Sequence, residues 1–305
     1  MQNNHRFKKI KYVIFCALLW SFQAFAKPTL KAKLRVAVAT NFYSTLNELV
    51  QMDKQDFNFE VELIPGASGR LMAQIERNAP FDVFLSADAE KPFYLVSKDK
   101  LIEQSVIEYT RGSLMLVLTE KTALSFSEPD VVNEGNNSGL NSDDDSYGDS
   151  YGDSDGHSYN LDYSADLTAL TEYLGACRRI TIAQPTLAPY GKAALEVLKR
   201  ADIQHEKERL IFAENVAQSL HFIIYGKVDC GIVARSFAPI RQIGRYIKIA
   251  IPSSLHSPIE QFGGIVADSK NIPLAKIFLD YLQKPETQEK LMARGYLSVG
   301  VFDDQ

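Results

Sequence analysis

The stretch Ile64-Pro-Gly-Ala-Ser-Gly-Arg-Leu-Met-Ala-Gln-Ile75 constrains the fold of this chain more than any other. Val61, Leu63 and Ile64 read as the end of a strand that stops at Pro65-Gly66. Leu71, Met72 and Ile75 then recur at helical spacing. Ser68 stands where a helix N-cap is expected, with Gly69 behind it. Such a corner offers a hydroxyl, unpaired backbone N–H groups and the positive end of a helix dipole. That setting can hold an anion without a formal positive charge. A serine there can equally do no more than cap its own helix, so the corner gains meaning only if it recurs.

It recurs. Residues 34–40 form a short β-branched strand that passes through Thr40-Asn41 into a helix carrying Leu46, Leu49, Val50 and Met52. Strands are expected at 57–64 and 82–86, the latter leading through Ala87-Asp88-Ala89 into a helix that Asp88 would cap. Residues 114–119 are an apolar strand and the expected crossover into a second lobe. Further on come a helix at 166–175, a strand at 179–183, a two-proline loop at 184–191 and a helix at 193–199. A corner at 213–218 opens another helix through Leu220 and Ile223. Strands at 230–234, 246–251 and 262–268 precede closing helices at 273–283 and 286–293. This alternation argues a parallel or mixed sheet with helices on both faces, and ligands of such sheets bind beyond the carboxyl ends of the strands. Thr40/Asn41, Ser68, Tyr190 and Val216 all fall at such corners, two from each half of the chain. The expected architecture is two α/β lobes that close on a small ligand about a hinge.

Residues 1–26 read as an export signal: Arg6, Lys8, Lys9 and Lys11, then an apolar run over 12–22, then Ala24-Phe25-Ala26 as a small-x-small cleavage site. The run is short for a membrane span, so a soluble periplasmic chain starting near Lys27 is expected. Cys16 lies in that run, away from the cleavage site. Cys177 and Cys230 remain, as one disulfide or as two free thiols in an oxidising compartment. Losing the four positive charges of the signal takes the formal net charge from −5 to −9, and residues 127–158 hold nine acids and no Lys or Arg. The rest is close to neutral, with no basic surplus for nucleic acid or an anionic membrane. Residues 127–163, with the tandem repeat Ser146-Tyr-Gly-Asp149, Ser150-Tyr-Gly-Asp153, are too polar for a core and read as a disordered insertion. The run Asp153-Ser-Asp155-Gly156 lacks the spacing and the distal Glu of a calcium loop.

Val38-Ala-Thr-Asn-Phe42, Pro65-Gly-Ala-Ser-Gly69, Ala79-Pro-Phe-Asp-Val-Phe-Leu-Ser-Ala-Asp88, Ala188-Pro-Tyr-Gly-Lys-Ala193 and Glu214-Asn-Val-Ala-Gln218 together resemble the extracytoplasmic molybdate-binding proteins of ABC transporters. The resemblance covers residues 33–124 and 165 to the end. It implies a type II periplasmic-binding-protein fold, with lobe 1 from 27–113 and 250–305 and lobe 2 from 114–249 interrupted at 127–163. It implies molybdate or tungstate as ligand, no cofactor, a membrane permease as partner, and a monomer. It also implies Thr40, Asn41, Ser68, Tyr190 and Val216 as the residues that hold the metal as its oxyanion. Some members carry a late tyrosine ligand. Here that region reads Ser257-Pro-Ile-Glu-Gln-Phe-Gly-Gly264, so Tyr190 is expected to take its place.

Other classes fit less well. Gly66-Ala-Ser68-Gly69 does not complete Gly-x-Ser-x-Gly because position 70 is arginine, which weakens a serine hydrolase. His157, His205, His221 and His256 show no metal-ligand spacing, and His221 is expected to be a packed or surface residue. A binding protein for sulfate or thiosulfate stays open on the residues alone, as does an interaction role for the acidic segment.

Overall fold

The computed structural model describes residues 32–123, 166–203, 207–240, 243 and 246–299. The export signal, the acidic segment 127–163 with its repeat and calcium-like run, His157 and His205 lie outside the described residues.

In the first lobe, β1 (Lys33–Ala39) runs into α1 (Thr40–Met52), β2 (Glu60–Gly66) into α2 (Ser68–Glu76), and β3 (Val83–Leu85) towards α3 (Glu90–Ser97). After β4 (Ile107–Gly112) only Ser113 intervenes before β5 (Leu114–Leu118) opens the second lobe. There α4 (Leu167–Ala176), β6 (Ile180–Ala183), α5 (Pro189–Arg200), β7 (Leu210–Ala213), α6 (Val216–Ile224), β8 (Cys230–Ala234) and β9 (Ile247–Ala250) follow. The chain then returns through β10 (Ile259–Ile265), α7 (Ile272–Gln283) and α8 (Pro285–Met292).

Each lobe is built on one five-stranded sheet, in the orders β2-β1-β3-β10-β4 and β7-β6-β8-β5-β9. β1 is parallel to β2 and β3, while β10 is antiparallel to β3 and β4. β6 is parallel to β7 and β8, while β5 is antiparallel to β8 and β9. Both sheets are therefore mixed, and the chain crosses between them twice, at Ser113 and between β9 and β10.

The two-residue period of a strand sends side chains to both faces. Leu34, Val36 and Val38 pack with Phe42, Leu46 and Leu49 of α1 and Phe278 and Leu282 of α7. Ala37 and Phe84 face the other way, against Leu71 and Ile75 of α2 and Leu95 of α3. Full burial of Phe42, Leu46 and Leu49 stabilises by roughly 1.5–3 kcal/mol each, which holds the start of α1 against the sheet edge. In the second lobe Leu170, Leu174, Val197, Leu198 and Ile223 cover β5, β6 and β8. Cys177 and Cys230 form a disulfide with their Cα atoms 6.0 Å apart.

The sequence pattern misplaces some elements. β4 and β7 are strands it does not show; both are sheet edges, and β4 carries Glu108 and Arg111 as an ion pair instead of an apolar alternation. β10 lies three residues before its expected position, because the apolar Ile265-Val266-Ala267 run outweighs the polar Glu260-Gln261 in any hydrophobic count. β2 runs on through Pro65-Gly66, beyond the expected turn. The helix expected at 193–199 begins four residues earlier at Pro189, a residue that suits the first helical position.

Candidate functional site

Four helices begin at the same place. α1 starts after Ala39, α2 after Ala67, α5 after Ala188 and α6 after Asn215, and in each case the backbone switches from extended to helical within one residue. The first-turn N–H groups of a helix have no acceptor within it. Here those of Thr40, Asn41, Ser68 and Val216 gather at one point, together with the positive ends of four helix dipoles. Thr40, Asn41, Ser68, Tyr190 and Val216 all line a single tight gap of about 10 Å³ between the lobes, with Gly66 and Ala87. Among the described residues no Lys, Arg, Asp or Glu lines it. Among the described residues no cluster of three His, Cys, Asp or Glu could hold a cation.

Ser68 does not cap its helix, as the sequence had suggested. Ala67 occupies the cap position and Ser68 is the first helical residue. Its hydroxyl oxygen accepts the Ala87 N–H at 3.0 Å, from the corner after β3. The Ser68 proton has no protein acceptor among the described residues and is available to the gap. Asp88 is likewise not the cap residue of α3; Ala89 is. Asp88 still accepts the Lys91 N–H at 3.2 Å and the Ser86 hydroxyl at 2.9 Å, and pairs with the Lys91 ammonium, so its role is local.

Val216 is exposed as a donor by its neighbours. Asn215 Oδ1 caps α6 by accepting the Gln218 N–H at 3.0 Å, and Gln218 Oε1 accepts the Glu214 N–H at 2.7 Å. Both polar side chains are thereby engaged, which leaves the Val216 N–H free of them. Tyr190 is the second residue of α5, not part of a loop, and is buried.

Asn41 behaves differently from a simple side-chain ligand. Its Nδ2 donates to Gln261 Oε1 at 2.8 Å and to Tyr190 Oη at 3.3 Å, so both amide protons are spent within the protein. Its backbone N–H lies in the first turn of α1, at the wall of the gap. Its backbone carbonyl accepts the hydroxyls of Tyr296 at 2.8 Å and Ser236 at 3.3 Å, one from each side of the hinge.

Gln261, Tyr109 and Tyr296 are members of this network that the sequence did not single out. Gln261 lies on β10 where the register shifts against β4, in the region that lacks the late tyrosine. Burial pushes the Tyr190 phenol well above its ordinary value of 10; nearby Tyr296 adds to this, while the amide donors of Asn41 and Gln261 pull back. Burial also raises Tyr109, and lifts Tyr296 to about 12. All three stay protonated at any physiological pH.

The lobes also touch directly beside the gap. The Gly69 N–H donates to the Leu187 carbonyl at 3.1 Å, and Arg70 pairs with Glu214. A larger groove of about 770 Å³ opens outside this contact, bordered by Lys91 and Lys192 as well as Asp88, Glu196 and Glu260.

Residues 34–297 match the family described as bacterial extracellular solute-binding proteins. The molybdate-binding protein ModA of Azotobacter vinelandii is 27% identical over 272 residues, covering 87% of this chain and 90% of that protein. ModA of Rhodobacter capsulatus is 26% identical over 274 residues, covering 90% and 91%. Among solved structures, the periplasmic molybdate-binding protein of Azotobacter vinelandii superposes with a TM-score of 0.66 at 24% identity, covering 87% of this chain and 99% of that one. The sulfate-binding protein SubI of Mycobacterium tuberculosis does so with a TM-score of 0.61 at 12% identity, covering 88% of each. At those identities the structures speak to the fold, which is the two-lobe solute-binding architecture. On the strength of the family match along almost all of its described length, the chain belongs to the bacterial extracellular solute-binding proteins.

Proposed function

We propose that this protein captures molybdate, and with it tungstate, outside the cytoplasm and delivers it to the membrane permease of an ABC importer. It acts as a monomeric carrier and not as an enzyme, after removal of its signal near Ala26. The single observation that carries the reading is the gap where four helix N-termini meet and where, among the described residues, no charged side chain intrudes. The ModA relatives supply the choice of ion.

The ligands are the backbone N–H groups of Thr40, Asn41, Ser68 and Val216 and the hydroxyls of Ser68 and Tyr190. Each hydrogen bond to a charged group nets roughly 1.5–3 kcal/mol, so about five to seven of them gross about 8–20 kcal/mol before ordering and closure are deducted. Micromolar affinity needs about 8 kcal/mol. Neutral donors therefore suffice. A set of donors offers nothing to the proton of hydrogen phosphate, so fully ionised dianions are favoured.

Calorimetric titration with molybdate, tungstate, sulfate and hydrogen phosphate tests this. Molybdate and tungstate are expected to bind at micromolar concentrations or below, and hydrogen phosphate is expected to be rejected. Tight binding of hydrogen phosphate alone would overturn the reading, and a preference for sulfate would reassign the ligand.

A further inference from the structure

Gln261 is fully buried, yet it does not line the gap. It stands behind Tyr190. The Tyr190 hydroxyl has one proton to give and two lone pairs to fill. Gln261 Nε2 donates to it at 3.3 Å and Asn41 Nδ2 donates to it at 3.3 Å. With both lone pairs taken, the phenol proton is left for the gap.

The direction of the Gln261 amide is fixed by its other end. Gln261 Oε1 accepts from Asn41 Nδ2 at 2.8 Å and from the Tyr109 hydroxyl at 3.3 Å, whose proton is shared with the Ser86 carbonyl at 2.9 Å. Turning the Gln261 amide over would set two N–H groups against each other at the 2.8 Å contact. The socket also depends on bare backbone. A Cβ on Gly112 would stand 2.1 Å from Tyr190 Oη and 3.1 Å from Gln261 Nε2. The socket is thus made by β4, β10 and α1, and it receives a hydroxyl from α5 of the other lobe.

We propose that Gln261 is a positioning residue for anion selectivity: by filling one lone pair of the Tyr190 hydroxyl it compels that hydroxyl to donate, and so excludes anions that carry a proton. The proposal rests on the oxyanion reading above. A hydroxyl can normally serve either as donor or as acceptor, and would accept from hydrogen phosphate if a lone pair faced the gap. Gln261 removes that option without touching the ion.

The test compares wild type with Gln261→Met by calorimetry on the full chain at pH 8, using molybdate, sulfate and hydrogen phosphate. The ratio of molybdate to hydrogen phosphate affinity is expected to narrow by roughly tenfold, the worth of one hydrogen bond to a charged group. The molybdate to sulfate ratio is expected to hold, since neither carries a proton. A uniform loss for all three ions means that Gln261 only supports the structure, and overturns the proposal. In a Tyr190→Phe background the same substitution is expected to leave the ratio unmoved, and a further narrowing there also overturns it. Should Gln261→Met fail to fold, Gln261→Leu removes the same donor while leaving Tyr190 in place, and is expected to narrow the ratio likewise; an unchanged ratio counts against the proposal. A wild-type chain that binds none of the three ions removes the site reading and this proposal together, whereas binding with an unchanged ratio in the variants removes this proposal alone.

Discussion

Replacing Ser68 by alanine separates two jobs that one hydroxyl performs. Ser68 Oγ accepts the Ala87 N–H at 3.0 Å, and on the proposed function it gives its own proton to the ion. The residue is 1% exposed, so neither bond has water as a ready substitute. Ser68→Ala deletes one hydrogen bond to a charged group, worth roughly 1.5–3 kcal/mol, which is roughly ten- to a hundredfold in dissociation constant. It also strands the buried Ala87 N–H, at a cost of roughly 1–3 kcal/mol in the ligand-free protein. At roughly 2–4 °C per kcal/mol for a chain of this size, the unliganded melting temperature is expected to fall by several degrees. The stabilisation that saturating molybdate gives should shrink as well. Calorimetry reads the first effect and thermal unfolding with and without ligand reads the second. An affinity unchanged within twofold, in a variant whose melting temperature has dropped, would show that the hydroxyl serves Ala87 alone and would refute its place among the ligands.

The other predictions address separate links. Reduction of Cys177–Cys230, which closes 53 residues of chain, removes about 4 kcal/mol on the loop-entropy account; scanning calorimetry with reductant is expected to show a melting temperature lower by roughly 10 °C, and no change would mean that the bridge carries no stability. Gly191→Ala places a Cβ 2.2 Å from the Ala183 carbonyl at the mouth of β6, so it is expected to push α5 off the sheet and weaken molybdate binding measurably in calorimetry. His256 is buried with Nδ1 against the Ser257 carbonyl at 2.8 Å, while Nε2 has no partner among the described residues; desolvation lowers it below its ordinary 6.5, against the smaller upward pull of the Ser257 carbonyl and Glu196. A lowered folded value means full stability above pH 6.5, lost as pH falls through that value towards the folded one, and urea titrations of His256→Gln are expected to lose this slope. Deleting residues 127–158 is expected to leave molybdate affinity intact, and a large loss in calorimetry would assign that segment to binding.

How much could be read from the chain follows from where the physics is local. The strand-corner-helix units around Thr40, Ser68 and Val216 were legible because hydrophobic periodicity and a change of period sit side by side in sequence. The gathering of the four helix starts follows from ligand positions at strand ends, a rule of this layer architecture. The cap of α2 was misread because Ser68 is one residue inside the helix and its partner, Ala87, lies 19 residues away. Edge strands β4 and β7 escaped because an edge needs no apolar run on both faces. Gln261 was invisible as a participant because nothing local marks a glutamine as buried. Its role arises only when β10 returns from the second lobe to lie between β3 and β4, and brings it to Asn41 across 220 residues.

The central claim is that uncharged donors from both lobes hold the ion in the small gap, while the lysines line only the larger groove. A crystal grown with tungstate tests it most directly through the anomalous scattering of tungsten. The account predicts one strong peak inside the gap, with the oxygens around it within hydrogen-bond reach of Ser68 Oγ, Tyr190 Oη and the Val216 N–H. A peak in the outer groove beside Lys91 and Lys192, with none in the gap, would contradict it.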